Sequence, residues 1–323
     1  MKAIVQDRYG APDTLRLADV DRPEVGPDDV LVRVHAAALN PYDWHVLRGD
    51  PLIARLLGVG LTRPKANVAG IDAAGRVEAV GANVRDLRPG DEVLGFCLGA
   101  FAQYARTTAD QIVPKPAGLT FEQAAAVPVA ATTALRAVRA GQVRAGHRVL
   151  INGAAGGVGT YAVQIAAALD AEVTAVCSSR NTALMRSLGA TDVVDYTTED
   201  FTDGRRQYDV ILDNVGNRPL NQLRRALTTT GTLVSNGGGS PGAILGAVRR
   251  ILTVVLVNPF VRQRLRPLLA EQNHADLLAV TDLILAGKLA PVLGGMYPLT
   301  DAAQGLHHLE QGHTRGKLVI TVP

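Results

Sequence analysis

The chain has 323 residues, 47% of them hydrophobic and 20% charged, so it has the length of about two domains and the composition of a folded protein with a sizeable core. Its formal net charge of +3 is small and no run of five like charges occurs, which argues against nucleic acid as a partner. The two cysteines, Cys97 and Cys177, form neither a Cys-x-x-Cys pair nor a Cys/His cluster, which argues against a disulfide framework and against a structural zinc site. Two free thiols favour a reducing compartment, the cytoplasm.

Residues 1 to about 115 have the pattern of a mostly β domain. Short alternating apolar runs are separated by turns such as Arg88–Asp91, and the amino terminus enters a strand directly, without the apolar core of a signal peptide. The predicted strands are Lys2–Val5, Val30–Val34, Arg76–Val80 and Glu92–Leu94.

Thr120 marks a change from strands to helices. Thr120 and Gln123 fit a capping box, in which each side chain accepts a hydrogen bond from the backbone N–H of the other residue. We therefore expect an alanine-rich helix to begin here and to be limited by Pro128.

From Arg144 to about Gly239, apolar strands alternate with helical segments. This alternation predicts βαβ units and a doubly wound parallel sheet of the α/β class. The predicted strands are Arg148–Asn152, Glu172–Cys177, Asp192–Asp195, Asp209–Asp213 and Thr232–Ser235. The predicted helices are Thr160–Leu169, Thr182–Leu188 and Leu220–Leu227.

The segment from residue 240 to about 269 is apolar and contains several arginines, and the pattern assigns no element to it. Its most apolar stretch, residues 251–257, is far shorter than the ~20 residues of a membrane-spanning helix. No membrane partner is therefore expected.

The end of the chain contains a predicted helix at Ala275–Ala286 and a predicted strand at Lys317–Val322. Three histidines between them, His307, His308 and His313, are assigned to the exposed face of a further helix rather than to a metal site. The simplest architecture is a nucleotide-binding domain inserted between two pieces of a mostly β domain.

A glycine-rich turn, residues 153–159, joins the first strand of the nucleotide-binding domain to its helix. Such glycines allow a tight turn and let the backbone approach a pyrophosphate at the helix N-terminus. The Gly-x-Gly-x-x-Gly pattern is incomplete, because Ala154 stands at its first position, but the strand before it and the helix after it support a dinucleotide site.

The second strand of this domain ends in Cys177-Ser178-Ser179-Arg180-Asn181. An acidic residue at this position would bind the ribose 2′-hydroxyl of NAD, and none is present here. Two hydroxyls and a guanidinium suit a 2′-phosphate, so the sequence favours NADPH.

Five short motifs in this order make the chain resemble the medium-chain dehydrogenase/reductase superfamily, within it the zinc-independent quinone oxidoreductase branch. The motifs are NPYD (40–43), GIDAAGRVEAVG (70–81), PGDEV (89–93), AAVP (125–128) and GAAGGVG (153–159). The resemblance implies a GroES-like, mostly β catalytic domain over residues 1–121 and 288–323 and a Rossmann domain over residues 122–287. It also implies a homodimer.

Zinc-dependent members of this superfamily carry metal ligands at three positions that differ here. The matching residues are Asn40, three positions before Asp43, then Ile71, followed by Asp72, and Val129. Isoleucine and valine cannot bind a metal and asparagine is a poor zinc ligand, so we expect no metal.

The resemblance also assigns residues near the cofactor. Asn40 and Thr133 are expected near the nicotinamide, Asn214 near its ribose, and Tyr196 near the adenosine phosphate, while relatives often have a lysine where this chain has Asn181. Together with the glycine turn, the expected cofactor-binding residues are Asn40, Thr133, Ala155, Gly156, Gly157, Val158, Gly159, Ser178, Arg180, Tyr196, Asn214, Asn236 and Gly237.

The absence of metal ligands favours an easily reduced substrate. Hydride addition to a simple ketone produces an oxyanion whose conjugate acid has a pKa as high as that of water, whereas a quinone gives a phenolate of pKa about 10. The gap is on the order of 7 kcal/mol, and an enone lies between the two. Quinone or enone reduction is therefore favoured over alcohol oxidation.

Three residues are candidates for hydrogen bonding or proton transfer to the substrate: Asn40, Tyr42 and His45. Asp43 is expected to orient the loop, Asp72 to pair with an arginine or a backbone amide, and residues 50–61 either to line an apolar pocket or to pack. An enoyl-thioester reductase remains a second enzyme reading. A non-enzymatic NADPH-binding protein of the crystallin or RNA-binding type is a third.

Overall fold

The computed structural model describes residues 1–50, 60–61, 64, 67–236, 246–268 and 271–323. The chain divides into two compact units. The first comprises Met1–Thr132, Gln272–Ala286 and Pro291–Pro323, and the second comprises Thr133–Glu271 and Gly287–Ala290.

The boundaries of these units differ from those expected at 121/122 and 287/288. Residues 272–286 belong to the first unit, where the His274 ring nitrogen Nδ1 lies 2.9 Å from the carbonyl oxygen of Asp110. The segment 274–285 has the pattern of an ordinary apolar helix, so the sequence alone does not indicate to which unit this helix belongs.

Strands and helices are numbered in chain order. The strands are β1 (Lys2–Val5), β2 (Arg16–Asp19), β3 (Asp29–Ala38), β4 (Asp72–Val80), β5 (Glu92–Phe96), β6 (Tyr104–Thr108), β7 (Ile112–Pro114), β8 (Arg148–Asn152), β9 (Glu172–Cys177), β10 (Asp192–Asp195), β11 (Tyr208–Asp213), β12 (Leu227–Ser235), β13 (Arg264–Pro267), β14 (Leu293–Pro298) and β15 (Lys317–Thr321). The helices are α1 (Pro41–Arg48), α2 (Phe121–Ala125), α3 (Pro128–Ala140), α4 (Gly157–Ala167), α5 (Thr182–Ser187), α6 (Leu220–Arg225), α7 (Gly246–Val257), α8 (His274–Leu285) and α9 (Ala302–Glu310).

The first unit is built on a largely antiparallel sheet in the order β14-β15-β3-β4-β5-β7, with β6 also paired to β3. The alternation of β3 directs Val30, Val32 and Val34 into the core of this unit, where all three are buried. Beside it, β1 and β2 form a two-stranded sheet. This is the GroES-like, mostly β architecture that the motifs imply.

The pairing of β3 determines which residues meet at its carboxyl end. Ala38 pairs with Asp72 of β4 on one side and with Val319 of β15 on the other. Because antiparallel partners run in opposite directions, Asn40, two residues after Ala38, lies beside Lys317, two residues before Val319.

The second unit contains a parallel sheet in the order β10-β9-β8-β11-β12-β13. This is the doubly wound order of dinucleotide-binding domains, in which ligands bind where the strand order reverses. The reversal falls between β8 and β11, whose last residues, Asn152 and Asp213, are paired.

Several predicted elements are confirmed residue for residue, including the strands at Lys2–Val5, Arg148–Asn152 and Glu172–Cys177. The capping box is also confirmed, because the Thr120 hydroxyl accepts a hydrogen bond from Gln123 N, and Gln123 Oε1 accepts one from Thr120 N.

Three details of the sequence reading are wrong. Helix α4 begins at Gly157 rather than at Thr160, because Gly156 is the N-cap and the glycine turn already enters the helix. The segment 240–269, given no element, contains α7 and β13. His313 lies beyond α9, which ends at Glu310.

Among the residues that the structure describes, no helix has both the length and the apolar character needed to cross a membrane.

Candidate functional site

The glycine turn after β8 forms a cradle at the carboxyl edge of the parallel sheet. Gly153 has φ +76°, a left-handed conformation that favours glycine. A Cβ on Gly159 would lie 2.2 Å from the Gly153 carbonyl oxygen, so the first turn of α4 packs against the loop backbone. At Gly156, by contrast, a Cβ would meet nothing closer than 3.5 Å. The first N–H groups of α4 have no acceptor within the helix, so the cradle fits a pyrophosphate.

Polar side chains from three neighbouring strands meet beside this cradle. Asn152 Nδ2 donates to Asp213 Oδ1 at 2.8 Å, and the Asn214 backbone N–H donates to the Asn152 carbonyl at 3.2 Å. Asn236 Nδ2 donates to Asn214 Oδ1 at 3.0 Å. The structure thus brings Asn214 and Asn236 together beside the strand reversal, while their expected contacts with the cofactor stay predictions.

The Arg250 side chain of α7 binds polar groups at this edge of the sheet. Its guanidinium donates to the fully buried Asp213 carboxylate at 2.5 Å, to the Ser235 hydroxyl at 3.1 Å and to the Arg218 carbonyl at 2.8 Å. Asp213 Oδ1 also accepts hydrogen bonds from Val215 N and Gly216 N. Sequence reasoning missed Arg250, although a buried aspartate at a strand end is itself a signal that a cation is required.

The predicted specificity residues lie at the ends of β9 and β10. Ser178 Oγ accepts a hydrogen bond from Asn181 Nδ2 at 3.3 Å, Arg180 is exposed, and Tyr196 is 40% exposed. The exposed Arg180 and Tyr196 are therefore accessible to an adenosine phosphate, while Ser178 is half-buried.

A carboxylate that the sequence reading did not consider lies at the same place. Asp195, the last residue of β10, pairs with Cys177 and accepts a hydrogen bond from Ser179 N at 2.9 Å. Hydrogen bonds from Thr197 are the main cause that lowers the pKa of Asp195; burial opposes them and hydrogen bonds from Ser179 add to the lowering, so Asp195 is ionised at neutral pH. Strand β9 is not followed by an acidic residue in the sequence. The adjacent strand β10 nevertheless places the Asp195 carboxylate beside the end of β9.

In the first unit, Asn40 lies at the end of β3 with its side-chain amide fully engaged. Nδ2 donates to the Ala38 carbonyl at 3.2 Å and to Asp72 Oδ2 at 3.0 Å, while Oδ1 accepts a hydrogen bond from Lys317 Nζ at 2.6 Å. Its predicted contact with the nicotinamide and its role as a donor to substrate stay predictions, and a substrate oxygen would have to displace one of these partners.

Asp72 is fully buried and accepts several hydrogen bonds. In addition to Asn40, Oδ1 accepts from Val129 N at 3.1 Å and Oδ2 lies 3.5 Å from Lys317 Nζ. Burial raises the pKa of Asp72, while Lys317, Asn40 and the Val129 amide lower it. The backbone-amide partner expected for Asp72 is therefore found, but its cationic partner is a lysine rather than an arginine.

Asp43 anchors the first turn of α1. Its Oδ2 accepts a hydrogen bond from Asn40 N at 2.7 Å, which agrees with the orienting role expected from the sequence. Burial raises the pKa of Asp43 to about 7; the Asn40 bond and Lys317 act in the opposite sense, and Asp72 adds to the increase.

Tyr42 and His45 lie on the same short helix. Tyr42 is 50% exposed, and burial of the remainder, with the charge of Asp43, raises its pKa, so its hydroxyl stays protonated. His45 Nδ1 lies 2.9 Å from the Asp50 carbonyl oxygen, and because a carbonyl only accepts, Nδ1 carries the proton and Nε2 is an acceptor. Burial lowers the pKa of His45, so the ring is neutral at pH 7.

The residues at the metal-ligand positions of zinc-dependent relatives do not fit a zinc ion. The side chains of Ile71 and Val129 contain no donor atom, and the Asn40 amide is committed to Ala38, Asp72 and Lys317. Within the described part of the chain, no three His, Cys, Asp or Glu side chains converge as a metal site would require.

The other predicted residues are placed as follows. Thr133 is a half-buried residue of α3, and Ala155 and Val158 belong to the glycine cradle. Gly237 and most of the segment 50–61 lie outside the described residues.

Comparison with known proteins agrees with this arrangement. Residues 26–117 match the family model of the alcohol dehydrogenase GroES-like domain, and residues 188–320 match that of the zinc-binding dehydrogenase domain. The mitochondrial NAD(P)H oxidoreductase RTN4IP1 of Bos taurus is 32% identical over 100% of this chain and 89% of its own length. The chloroplastic NADPH-dependent alkenal/one oxidoreductase of Arabidopsis thaliana is 32% identical over 99% of this chain and 79% of its own length.

A solved structure, the quinone oxidoreductase of Coxiella burnetii, superposes with a TM-score of 0.87 at 33% identity, covering 100% of this chain and 99% of that one. Full-length similarity at this level shows common ancestry and a common fold. The chain therefore belongs to the medium-chain dehydrogenase/reductase superfamily, within its zinc-independent quinone oxidoreductase branch, and is an oxidoreductase that uses a nicotinamide cofactor.

Proposed function

We propose that this protein is an NADPH-dependent reductase that transfers a hydride to quinones or α,β-unsaturated carbonyl compounds without a metal. The observation that carries the proposal is the polar cluster at the metal-ligand positions. There the Asn40 amide bonds to Asp72 and Lys317, and Ile71 and Val129 provide no ligand. Without a Lewis acid, substrates that form a well-stabilised oxyanion are favoured. The quinone and alkenal/one reductases among the relatives support the same choice.

A bound nicotinamide would supply the hydride, and the protein has to stabilise the substrate oxygen that becomes negative. The Tyr42 hydroxyl is the donor in this proposal because it is partly exposed and its raised pKa keeps it protonated. His45 is neutral, with its proton on Nδ1 and with Nε2 as an acceptor, so Nε2 can relay a proton but does not carry one at neutral pH. Water then supplies the final proton.

The choice of NADPH is supported by Ser178, Arg180 and Tyr196 at the adenosine end of the site. Asp195 acts in the opposite sense, because an ionised carboxylate repels a 2′-phosphate and can accept a hydrogen bond from a ribose hydroxyl. We propose that the positive charge of Arg180 outweighs it.

The test is NADPH oxidation by the purified full chain with four classes of acceptor: a naphthoquinone, an enone, a crotonyl thioester and a simple ketone. We expect turnover with the first two, little with the ketone, and no loss of rate with a metal chelator. Preferential turnover of the thioester would instead indicate an enoyl-thioester reductase. Strong inhibition by the chelator would contradict metal-free chemistry.

A variant pair tests the assigned donor. Tyr42→Phe removes the hydroxyl and should lower kcat by roughly 10- to 100-fold with little change in the KM for NADPH. Tyr104→Phe is the matched control, because Tyr104 lies on β6 and its ring packs against the Arg22 guanidinium at 4.0 Å. Equal rates for both variants would remove Tyr42 from the mechanism.

We further propose that the chain forms a homodimer. Strand β13 is at the edge of the six-stranded sheet that the described residues form, and Leu252, Leu256 and Phe260 nearby in sequence are 50%, 68% and 87% exposed. Large exposed apolar side chains beside an open strand edge are typical of association sites. The mass in solution should be that of two chains and should fall to one in Leu256→Glu/Phe260→Glu.

A reducing compartment such as the cytoplasm is the proposed location. Cys97 and Cys177 are buried and unpaired with each other, and burial raises the pKa of the Cys97 thiol to about 12. Imaging of the tagged protein would test this location directly.

A further inference from the structure

Lys317 is a buried lysine whose ammonium group is surrounded by acceptors. Its side chain is 4% exposed, and Nζ lies 2.9 Å from the Leu39 carbonyl, 2.6 Å from Asn40 Oδ1 and 3.5 Å from Asp72 Oδ2. A buried charge is stable only when it is paired and hydrogen-bonded. All three partners lie at one place, where β3, β4 and β15 meet.

This arrangement fixes the orientation of the Asn40 amide. An ammonium group only donates hydrogen bonds, so the group that faces Lys317 Nζ must be the amide oxygen, and an ionised Asp72 only accepts, so the group that faces it must be the amide NH₂. A flipped amide would place NH₂ against NH₃⁺ and oxygen against oxygen. Lys317 and Asp72 together therefore allow one orientation only.

The cluster formed by Asn40, Asp72 and Lys317 also holds in place the helix that carries Tyr42, the proposed donor. Asn40 is the N-cap of α1, which bears Tyr42 and His45. Asp72 also accepts the Val129 N–H at the start of α3. Loss of the cluster would free the end of β3, the start of α3 and the first turn of α1 at once.

We infer that Lys317 and Asp72 are positioning residues, a buried ion pair that orients the Asn40 amide and thereby the helix that presents Tyr42 and His45 to the substrate. The inference rests on the proposed function only in so far as its kinetic test measures quinone or enone reduction. Neither residue touches the substrate in this scheme. Their effect is transmitted through Asn40.

A double substitution separates positioning from stability. Lys317→Met alone leaves the Asp72 carboxylate buried without its cation, so we expect a lower Tm as well as a lower kcat. Lys317→Met/Asp72→Asn removes both charges, so the Tm should recover most of the loss. The kcat of the double variant should stay roughly 10- to 100-fold below wild type, because the amide can now adopt both orientations, while the KM for NADPH changes little.

Lys115 provides a matched control within the same unit. Its side chain is also 4% exposed, and its Nζ donates to the Leu119 carbonyl at 2.7 Å and pairs with Glu92 at 3.0 Å. Lys115→Met should lower the Tm without a fall in kcat. If Lys115→Met and Lys317→Met lower kcat equally, the effect is one of general stability and the inference is wrong.

The fluorescence of Trp44, the only tryptophan of the chain, can be measured without enzymatic activity. Trp44 lies on α1, and its ring stacks on His45 with 3.7 Å between ring centroids. A loosened α1 should shift the Trp44 emission and increase its quenching by acrylamide in both Lys317 variants but not in Lys115→Met.

The kinetic and the fluorescence measurements together distinguish a failure of the proposed function from a failure of the positioning role. If wild type reduces none of the acceptors, the proposed function fails, but the Trp44 signal still tests whether Lys317 and Asp72 hold α1. A double variant with wild-type emission and wild-type kcat would overturn the positioning role.

Discussion

The Arg250 guanidinium lies 2.5 Å from the carboxylate of Asp213, and the carboxylate is fully buried. Asp213 in turn accepts hydrogen bonds from Val215 N and Gly216 N, so the ion pair supports the turn that carries Asn214. One residue of α7 thereby shapes the part of the site expected to hold the nicotinamide ribose.

Replacing Arg250 should weaken both the fold and the binding of cofactor. Arg250→Met leaves a buried unpaired carboxylate, so the free energy of unfolding should fall by about 3–5 kcal/mol and the Kd for NADPH should rise. Denaturant titration and fluorescence titration with NADPH measure the two effects. Arg250→Met/Asp213→Asn should regain stability but not affinity, and wild-type affinity in the double variant would show that the pair does not shape the site.

The two glycines of the cradle should respond differently to alanine. Gly159→Ala places a Cβ 2.2 Å from the Gly153 carbonyl oxygen, so the free energy of unfolding should fall by about 1–3 kcal/mol. Gly156→Ala meets nothing closer than 3.5 Å and should cost under about 1 kcal/mol, mostly from the N-cap. Thermal unfolding of the variants without cofactor checks the order, and equal losses would contradict the packing described for α4.

Charge at the adenosine end should determine the ratio of the two cofactors. Arg180→Ala should lower kcat/KM for NADPH about tenfold and leave NADH nearly unchanged, because only NADPH carries the 2′-phosphate. Asp195→Asn removes a negative charge beside Ser179 N and should raise kcat/KM for NADPH relative to NADH. Parallel assays with both cofactors test this, and a fall in the relative rate with NADPH in Asp195→Asn would contradict the assigned repulsion.

Stability should depend on pH through Asp43. Burial raises its pKa from 3.8 to about 7 in the folded protein. The folded state therefore binds more protons than the unfolded state between these values, and the free energy of unfolding should fall as the pH rises toward 7 and level off above it. From pH 5 to pH 7.5 the loss is about 2.5 kcal/mol.

The measurement is urea unfolding of wild type and Asp43→Asn at several pH values. Burial also raises the pKa of Asp72, which gives a slope of the same sign, and lowers the pKa of Lys317, which gives a slope of the opposite sign. Both groups are present in the two proteins, so the difference in unfolding free energy at each pH reports on Asp43 together with its interactions with these two groups. A difference that does not change with pH would show that Asp43 is ionised throughout.

Local patterns predicted most of the second unit correctly. The strands β8 and β9 have continuous apolar runs bounded by turns, and the glycine turn lies after β8 at the start of α4, where the sequence placed it. Helix α7 and strand β13 were missed, because the arginines of the 240–269 segment interrupt the apolar periodicity that would have indicated them.

The partners of the site residues could not be predicted, because they depend on strand register. Lys317 reaches Asn40 only through the pairing of β15 with β3, and Asp195 reaches Ser179 only through the pairing of β10 with β9. A periodicity in sequence shows that a strand exists, but not which residue of another strand lies beside it.

The pairing of β3 with β15 also determines when during folding the cluster can form. Lys317 and Asn40 are 277 residues apart in the chain, and the second unit lies entirely between them in sequence. During synthesis the carboxylate of Asp72 emerges long before the ammonium group that pairs with it, so this ion pair cannot form until β15 has docked. The parallel-sheet unit can thus fold first, while the proposed catalytic helix acquires its final position only in the closing step of folding.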